Sequence, residues 1–330
     1  MRIKILSHKD IQKTVTMSQA IESIKQAFIS LSRGDAVLPL RTQVPVQDEG
    51  GTTLLMPAYL PSVESLGVKI VSVFTKNTES NLPTVHALVV LCNAKTGEPT
   101  AVMDGTYLTA LRTGAASGVA TELLSRKETR TAAIIGAGIQ GRTQLEAICC
   151  TRDIQSVWVY DINHKAAEDF AEKMRSHGSP IPSEIIVAHS SAEAVSNADV
   201  ICCATTSFVP VFEDDNLKLG THINGIGSYT PDMQEIPEQT ILRSKVVVDS
   251  LSAAFEEAGD LIIPLEKKLL SESHIHGEIG QVASGQIQGR ESDEEITLFK
   301  SVGVAVQDVS VAELVLRQAK DLSYGTDFDL

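Results

Sequence analysis

The sequence predicts an α/β protein built from a doubly wound parallel sheet and a second, α+β domain. Three observations predict this fold class. Between residues 131 and 249, short apolar runs suited to strands alternate with helical segments, as in βαβ units. A glycine-rich turn follows the first of these strands. Upstream, residues 37–103 contain short β-rich runs separated by turn residues, which predict a mostly antiparallel sheet.

Length and composition agree with two folded domains. The chain has 330 residues, of which 43% are hydrophobic and 21% charged, so it can bury a sizeable core. The formal net charge of −14 argues against a nucleic-acid partner, because an acidic surface repels phosphates. We therefore expect a small-molecule partner, and a few local basic residues that bind it if it is an anion.

Signals for secretion, membrane insertion and metal binding are weak. No apolar run reaches the roughly 18 residues of a membrane helix, and the N-terminus lacks the apolar core of a secretion signal. The five cysteines form no Cys-x-x-Cys motif, and the eight histidines are scattered. We expect a cytoplasmic protein with reduced thiols, no membrane contact and no metal.

Four segments carry helix signals. Residues 18–32 are amphipathic, residues 109–124 are rich in small residues, and residues 309–320 predict a last helix. Ser292-Asp293-Glu294-Glu295 has the pattern of a capping box before an apolar run. This pattern predicts a fourth helix that continues through Ser301.

The glycine-rich turn has the pattern of a dinucleotide-binding fingerprint. It follows the apolar strand at residues 131–135 and opens a helix, as the fingerprint requires. The first glycine permits the tight turn, the second lets the backbone approach a pyrophosphate, and the third lets helix and strand pack closely. The helix N-terminus offers N–H groups to the phosphates. The residues of the turn are Gly136, Ala137, Gly138, Ile139, Gln140 and Gly141.

An acidic residue at the end of the next strand bears on the choice of cofactor. Asp161 follows Val157-Trp158-Val159-Tyr160, near the usual offset of about 20 residues from the first glycine. A carboxylate there binds the ribose hydroxyls and repels a 2′-phosphate, which favours NAD(H) over NADP(H). Asn163 and its basic neighbours can still tolerate a phosphate, so NADP(H) remains possible.

Three basic residues lie among small or apolar neighbours. Arg41, Lys69 and Arg112 occupy segments otherwise suited to burial. A buried cation needs a partner or an anionic ligand, and arginine suits bidentate binding of a carboxylate. From spacing alone, structural ion pairs or side chains that reach solvent remain the alternatives.

The whole chain resembles the ornithine cyclodeaminase/mu-crystallin family. The resemblance spans nearly the full length, in order and with similar spacing. Its landmarks are Arg41, Met56-Pro57-Ala58-Tyr59, Lys69, Leu82-Pro83-Thr84, Asp104-Gly105, Arg112-Thr113-Gly114-Ala115, the glycine-rich turn, His222-Ile223-Asn224-Gly225-Ile226-Gly227, Gly277-Glu278-Ile279-Gly280, Gly285 and Phe299-Lys300-Ser301-Val302-Gly303.

This resemblance implies an NAD(P)-binding Rossmann domain, expected at residues 120–305. It also implies a substrate and dimerisation domain, expected at residues 1–119 with residues 306–330 returning to it, and hence a homodimer. In the family, the residues matching Arg41, Lys69 and Arg112 hold the substrate carboxylate. Those around the cofactor match Thr113, Thr205, Ile226 and Ser301.

One segment departs from part of the family. In the cyclodeaminases and related alanine dehydrogenases, the segment matching Gly227-Ser228-Tyr229 reads Gly-x-Asp, and its aspartate acts on the amine or on its attacking water. Tyr229 is a poor base at neutral pH but can donate a proton or hydrogen bond.

The resemblance is therefore closest to the ketimine reductases of the family. It implies NAD(P)H-dependent reduction of a cyclic 2-imino acid such as Δ1-pyrroline-2-carboxylate, with Tyr229 or Lys69 concerned with the imine proton. Deamination by an ornithine cyclodeaminase or an alanine dehydrogenase is one alternative. A protein that binds NAD(P)H and a small ligand without turnover is another.

Overall fold

The computed structural model describes residues 1–80 and 82–330, with the backbone alone at residues 78 and 79. Fifteen strands are described in this part of the chain. In order they are β1 (Arg2–Leu6), β2 (Thr42–Val46), β3 (Gly51–Leu60), β4 (Ser65–Phe74), β5 (Val85–Asn93), β6 (Pro99–Asp104), β7 (Thr131–Ile135), β8 (Ser156–Tyr160), β9 (Glu184–Val187), β10 (Val200–Cys203), β11 (His222–Gly225), β12 (Lys245–Val248), β13 (Ile275–Glu278), β14 (Thr297–Lys300) and β15 (Thr326–Asp329).

Eleven α-helices lie in the same described residues. They are α1 (His8–Thr14), α2 (Met17–Ser32), α3 (Gly105–Leu124), α4 (Ile139–Thr151), α5 (His164–Arg175), α6 (Ser191–Ser196), α7 (Glu238–Arg243), α8 (Leu251–Glu257), α9 (Gly259–Glu266), α10 (Ile279–Ala283) and α11 (Ala305–Asp321). The chain divides into two compact units, one of Met1–Arg112 with Val304–Leu330 and the other of Thr113–Gly303.

The first unit contains a seven-stranded sheet in the order β15-β1-β6-β5-β4-β3-β2. Its pairs are antiparallel except for β1 with β6. Helix α11 packs against β3, β4 and α2. It approaches β4 closely, since a Cβ at Gly67 would lie 3.2 Å from Val309 Cγ1. The sheet also carries exposed apolar side chains, including the paired Ile70 and Leu88, which are 37% and 50% exposed.

The second unit contains an eight-stranded parallel sheet in the order β13-β12-β14-β11-β10-β7-β8-β9. The central strands β10, β11 and β14 are buried along their whole length, as expected for a parallel sheet covered on both faces. The chain leaves β7 toward β8 and β9 on one side, and returns to β10 and β11 on the other. This doubly wound sheet and the separate mixed α/β unit of the same chain confirm the predicted fold class.

One predicted helix is wrong. Ser292 Oγ does accept the N–H of Glu295, at 3.2 Å, but no helix follows. Residues Thr297–Lys300 form β14, which pairs with β11 on one side and β12 on the other. Two complete ladders of inter-strand hydrogen bonds and full burial outweigh one local turn. The other predicted helices correspond to α2, α3 and α11, and both α3 and α11 begin four residues earlier than expected.

Within the described residues, no helix is both long enough and apolar enough to cross a lipid bilayer.

Candidate functional site

The glycine-rich turn connects β7 to α4 in the second unit. Gly136 has a φ of 102°, in the region that favours glycine, and a Cβ there would lie 2.6 Å from the Ala204 carbonyl oxygen. A Cβ at Gly141 would lie 2.4 Å from the Gly136 carbonyl oxygen. Gly138 is the N-cap residue of α4 and is exposed. A Cβ added there would have no neighbouring atom within 4 Å. The turn therefore offers open backbone N–H groups at a helix N-terminus, which fits a pyrophosphate.

This turn lies at the point where the order of the parallel sheet reverses, between β7 and β10. Ligands of doubly wound sheets bind in the crevice at the carboxyl ends of the strands at such a point. The segment after β10 reaches the same edge, because Thr205 Cγ2 would lie 3.1 Å from a Cβ at Gly136. Thr205 therefore lies against the glycine-rich turn.

The Asp161 carboxylate is held at the end of β8. Its Oδ2 accepts the N–H of Ala137 at 2.8 Å, and its Oδ1 accepts the N–H of Asn163 at 2.9 Å. Each carboxylate oxygen has a further lone pair for a ribose hydroxyl. Asn163 caps α5, where its side-chain oxygen accepts the N–H of Ala166 at 3.3 Å. The side-chain oxygen of Asn163 thus has a structural partner.

The other predicted cofactor residues of this unit differ in their surroundings. Ile139 is 61% exposed and Gln140 half-buried, whereas Thr113 and Ile226 are buried. Ser301 is also buried, and its hydroxyl donates to Asp249 Oδ2 at 2.7 Å. The Ser301 side chain is therefore oriented by a buried carboxylate, and its oxygen keeps the capacity to accept a hydrogen bond.

Three buried charged side chains meet in the first unit, and we call them the cation cluster: Lys69, Arg112 and Asp308. Lys69 Nζ lies 3.0 Å from both carboxylate oxygens of Asp308, and Arg112 Nε lies 3.0 Å from Oδ1. They come from β4, α3 and the first turns of α11, and their side chains are 2%, 6% and 0% exposed. Asp308 near a helix N-terminus is favoured by the helix dipole.

The cation cluster has an excess of positive charge. With Lys69 protonated, two cations share one carboxylate, so the buried group carries a net charge of +1. Burial lowers the pKa of Lys69 to about 7, with Arg112 adding to the shift and Asp308 opposing it. Arg41 is half-buried and near enough that its charge also lowers the pKa of Lys69. The three predicted basic residues thus lie close enough together that the charges of Arg112 and Arg41 both act on Lys69.

Gln307 supplies a second indication of a ligand at the cation cluster. Its side-chain oxygen accepts hydrogen bonds from Arg112 Nη1 and from the N–H of Val304, the latter at 3.0 Å. Its amide nitrogen is buried and has no hydrogen-bond partner among the described residues. A buried donor without an acceptor costs about 1–3 kcal/mol. A net positive charge beside such a donor fits a small anion such as a carboxylate.

Tyr229 lies in the second unit, after β11. It is half-buried against the apolar side chains of that unit, and burial raises its pKa. It therefore stays a neutral phenol at neutral pH and acts as a hydrogen-bond donor rather than a base. Nearby Asp232 accepts the Thr230 hydroxyl at 2.6 Å. Within the described residues, no cluster of three or more histidine, cysteine or acidic side chains could hold a metal ion.

Several polar residues of these sites escaped sequence reasoning. Asp308 and Gln307 complete the cation cluster and its surroundings, and the second unit contains a buried network of Glu235, Asp260 and Lys300. The signal that singled out Lys69 and Arg112, a polar residue in an apolar run, also exists in Val304-Ala305-Val306-Gln307-Asp308. The same criterion, applied to acidic and amide side chains, would have identified Gln307 and Asp308.

The chain thus contains a dinucleotide-binding fold in one unit and a buried cluster suited to a small anion in the other. These are features of nicotinamide-dependent oxidoreductases of small acids. The family model of the ornithine cyclodeaminase/mu-crystallin family matches residues 1–323. The chain belongs to this family.

Three relatives narrow the class. A Δ(1)-pyrroline-2-carboxylate reductase of Bacillus cereus is 41% identical over 323 residues, which cover 97% of this chain and 98% of the relative. The structure of the Thermococcus litoralis Δ(1)-pyrroline-2-carboxylate reductase with NADH and L-proline matches with a TM-score of 0.95 and 44% identity, covering 98% of this chain and 99% of that one. An archaeal alanine dehydrogenase dimer with bound NAD matches with a TM-score of 0.93 and 36% identity over the whole of both chains. The chain is an oxidoreductase of the same class, which acts on carbon–nitrogen bonds.

Proposed function

We propose that the chain reduces a cyclic 2-imino acid of the Δ1-pyrroline-2-carboxylate type to the L-amino acid, such as L-proline. The observation that carries the proposal is the cation cluster. Its buried net positive charge, and the Gln307 amide nitrogen beside it that has no hydrogen-bond partner among the described residues, fit a small anion. The similarity to two pyrroline-2-carboxylate reductases supports the choice of substrate class.

The cation cluster, with Arg41, binds the substrate carboxylate. Arg112 donates a hydrogen bond from Nη1 to Gln307, and its Nε forms an ion pair with Asp308 without a hydrogen bond. A guanidinium has five N–H donors, so donors remain for the substrate. A carboxylate bound here neutralises the excess charge that the protein itself leaves uncompensated. The ligand thereby gains a charge-assisted hydrogen bond in a site of low dielectric constant.

The second unit holds the dinucleotide. The backbone at Gly138, at the N-terminus of α4, binds the pyrophosphate, and Asp161 binds the ribose. Gly136, Ala137 and Gly141 shape the turn, since the N–H groups of Gly136 and Ala137 are already donated to the Tyr160 carbonyl and to Asp161. Ile139, Gln140, Asn163, Thr113, Thr205, Ile226 and Ser301 complete the surroundings. Because the Asp161 carboxylate would repel a 2′-phosphate, we propose NADH as the preferred cofactor, with NADPH accepted less well. When bound, the reduced nicotinamide supplies a hydride to the imine carbon.

Either Lys69 or Tyr229 supplies or retains the imine proton. The imine nitrogen must be protonated when C2 accepts the hydride, and it then becomes the ring amine. Lys69, with a pKa of about 7, can hold or supply a proton near neutral pH. Tyr229, a neutral phenol, can donate a hydrogen bond.

A second candidate is amino-acid dehydrogenation, which the similarity to the archaeal alanine dehydrogenase favours. Tyr229 argues against this candidate and against ornithine cyclodeamination, because those reactions use an aspartate at the matching position. Binding of NAD(P)H and a ligand without turnover is the third candidate. The cation cluster would serve it equally well, and the similarity to two pyrroline-2-carboxylate reductases argues against it.

We propose a homodimer as the working assembly. The exposed apolar side chains Ile70 and Leu88 of the first unit offer a surface for a second copy, and an alanine dehydrogenase of similar fold is a dimer. The five cysteines all lie within the described residues and form no disulfide with one another, which supports our proposal of a reducing, cytoplasmic location.

A substrate panel tests the proposal. Oxidation of NADH and NADPH is followed with Δ1-pyrroline-2-carboxylate, its six-membered homologue, and pyruvate with ammonia. In the reverse direction, L-proline, L-alanine and L-ornithine are offered with both oxidised cofactors, and the formation of NADH or NADPH is followed for the first two and the release of ammonia for L-ornithine. We expect turnover of the cyclic imines, faster with NADH. If pyruvate with ammonia is turned over and no cyclic imine is, the alanine dehydrogenase candidate is favoured. If the cofactor binds and no substrate is turned over, the protein that binds NAD(P)H and a ligand without turnover is favoured.

A further inference from the structure

Glu235 is a fully buried carboxylate of the second unit that has no part in the chemistry proposed above. It lies between β11 and α7. Its Oε1 accepts the N–H of Thr205 at 2.6 Å. Its Oε2 accepts the N–H groups of Gly227 at 2.5 Å and Ser228 at 3.0 Å. One side chain therefore joins the segment after β10 to the segment after β11.

The ionised carboxylate makes these three hydrogen bonds with both of its oxygens as acceptors. An amide would place its NH2 against at least one of the N–H donors, and a carboxylic acid would need a further acceptor for its added proton. Burial and the charge of Asp260 raise the pKa of Glu235, while the neighbouring Lys300 and the hydrogen bonds from Thr205 oppose that shift. The three donors and Lys300 are what a buried negative charge requires here.

The backbone that carries Glu235 is itself fixed. Asp260 Oδ1 accepts the N–H groups of Glu235 and Ile236 at 2.7 and 2.9 Å. Its other oxygen lies 2.9 Å from Lys300 Nζ, and both of these side chains are fully buried. Lys300 is the last residue of β14, so the ion pair anchors the Glu235 segment to the sheet. The direction of the Glu235 carboxylate is thereby set by the core of the unit.

The two segments that Glu235 joins are in close contact. A Cβ at Gly227 would lie 2.1 Å from the Thr205 carbonyl oxygen and 2.5 Å from Glu235 Oε1. Thr205 in turn lies against the Gly136 turn. The distance between the glycine-rich turn and the Gly227–Tyr229 segment is therefore set by close packing of both against Thr205, which leaves no room for an added methyl group.

We propose that Glu235 is a positioning residue for the bound nicotinamide cofactor. It fixes Thr205, and through Thr205 the glycine-rich turn, at a set distance from the segment that carries Tyr229. The inference rests on the proposed function in one respect: that the dinucleotide binds at the glycine-rich turn. Affinity for the cofactor can be measured without any substrate, so this inference and the proposed reaction can fail separately.

The test compares three variants with the wild type. Glu235→Gln keeps the shape but places an amide NH2 against at least one backbone N–H. Gly227→Ala keeps the carboxylate and forces the two segments apart with one methyl group. Glu213→Gln, at an exposed glutamate outside this network, is the matched control. The measurements are the Kd for NADH by fluorescence, kcat with the best imine, and the thermal unfolding midpoint.

We expect Glu235→Gln and Gly227→Ala each to raise the Kd for NADH about tenfold, the size expected from one unsatisfied buried donor. We expect kcat to fall as well, with the KM for the imine changed less than twofold. The control should match the wild type. A merely structural role would lower the unfolding midpoint and leave Kd and kcat unchanged at low temperature, and that result would overturn the inference.

Two further outcomes are decisive. If Glu235→Gln does not fold, Gly227→Ala decides, because wild-type affinity for NADH in that variant would overturn the inference. If the wild type reduces no imine, the proposed reaction fails, but a tenfold loss of NADH affinity in the two variants still supports the positioning role.

Discussion

Asp308→Asn perturbs the cation cluster at its centre. The carboxylate lies 3.0 Å from Lys69 Nζ and 3.0 Å from Arg112 Nε, and asparagine keeps its shape without its charge. At an effective dielectric constant of about 20, a pair at this distance is worth about 5 kcal/mol before desolvation is subtracted. Breaking a buried ion pair by removing one partner costs about 3–5 kcal/mol in practice. We expect the free energy of unfolding to fall by this amount at about pH 6.

The loss of folding stability in Asp308→Asn depends on pH, because Lys69 can deprotonate. Burial lowers the pKa of Lys69 to about 7 while Asp308 opposes the shift, so the variant lysine has a still lower pKa. Wild-type Lys69 is protonated below about pH 7, and the variant lysine is not until lower pH. Between these two values, the unfolded variant binds a proton that its folded state does not. The variant therefore loses about 1.4 kcal/mol more than the wild type for each pH unit below about 7.

Chemical denaturation of both proteins at about pH 6 and about pH 9 measures this difference. We expect a loss of about 2–3 kcal/mol at the higher pH, where mainly Arg112 lacks its partner, and a larger loss at the lower pH. Asp321→Asn, at the exposed end of α11, is the matched control and should change stability by less than about 0.5 kcal/mol at either pH. Equal losses at both pH values for Asp308→Asn would refute the coupling between Lys69 and Asp308.

Four further predictions concern single side chains. Arg112→Lys should lower kcat/KM for the imine about 30- to 100-fold, because a point charge replaces a planar fork, with NADH affinity by fluorescence unchanged. For the wild type, kcat/KM of reduction should fall as pH rises through about 7, and Lys69→Met should remove this ionisation from the pH profile. Asp161→Ser should raise the ratio of kcat/KM with NADPH to that with NADH by about tenfold. Burial lowers the pKa of His222 to about 3, so acid should destabilise the wild type below about pH 6.5, and His222→Gln should reduce that slope by up to about 1.4 kcal/mol per pH unit.

The results that would contradict these predictions are specific. Unchanged kinetics in Arg112→Lys would make Arg112 a structural ion-pair partner. A pH profile that Lys69→Met leaves in place would assign the ionisation to another group. An unchanged cofactor ratio would remove Asp161 from ribose recognition. Parallel pH–stability curves for the wild type and His222→Gln would mean that His222 is not the group whose protonation opposes folding.

The sequence predicted the parallel sheet well because local and long-range signals agree there. Residues 131–135, the glycine-rich turn and the following helix have strand, turn and helix patterns that the sheet then stabilises. Residues 292–301 show the opposite case. A local capping pattern favours a helix, and tertiary pairing of β14 with two neighbours makes a strand instead.

The cationic side of the candidate site was predictable in part. Lys69 and Arg112 stood out because charges in apolar runs need a reason. Their partner Asp308 lies 239 residues after Lys69 in the sequence, and no local pattern records a contact over such a distance. The same holds for Glu235, whose three N–H donors come from two other segments. Burial and backbone geometry, rather than residue type, give these carboxylates their roles.

The most direct test of the central claim follows one hydrogen atom. The protein is incubated with Δ1-pyrroline-2-carboxylate and NADH that carries deuterium at the transferable C4 position, and the amino-acid product is analysed by mass spectrometry and NMR. Hydride transfer to a cyclic imine predicts L-proline with a single deuterium at C2, formed at the rate at which NADH is oxidised. Absence of proline, or proline without deuterium at C2, would contradict the account.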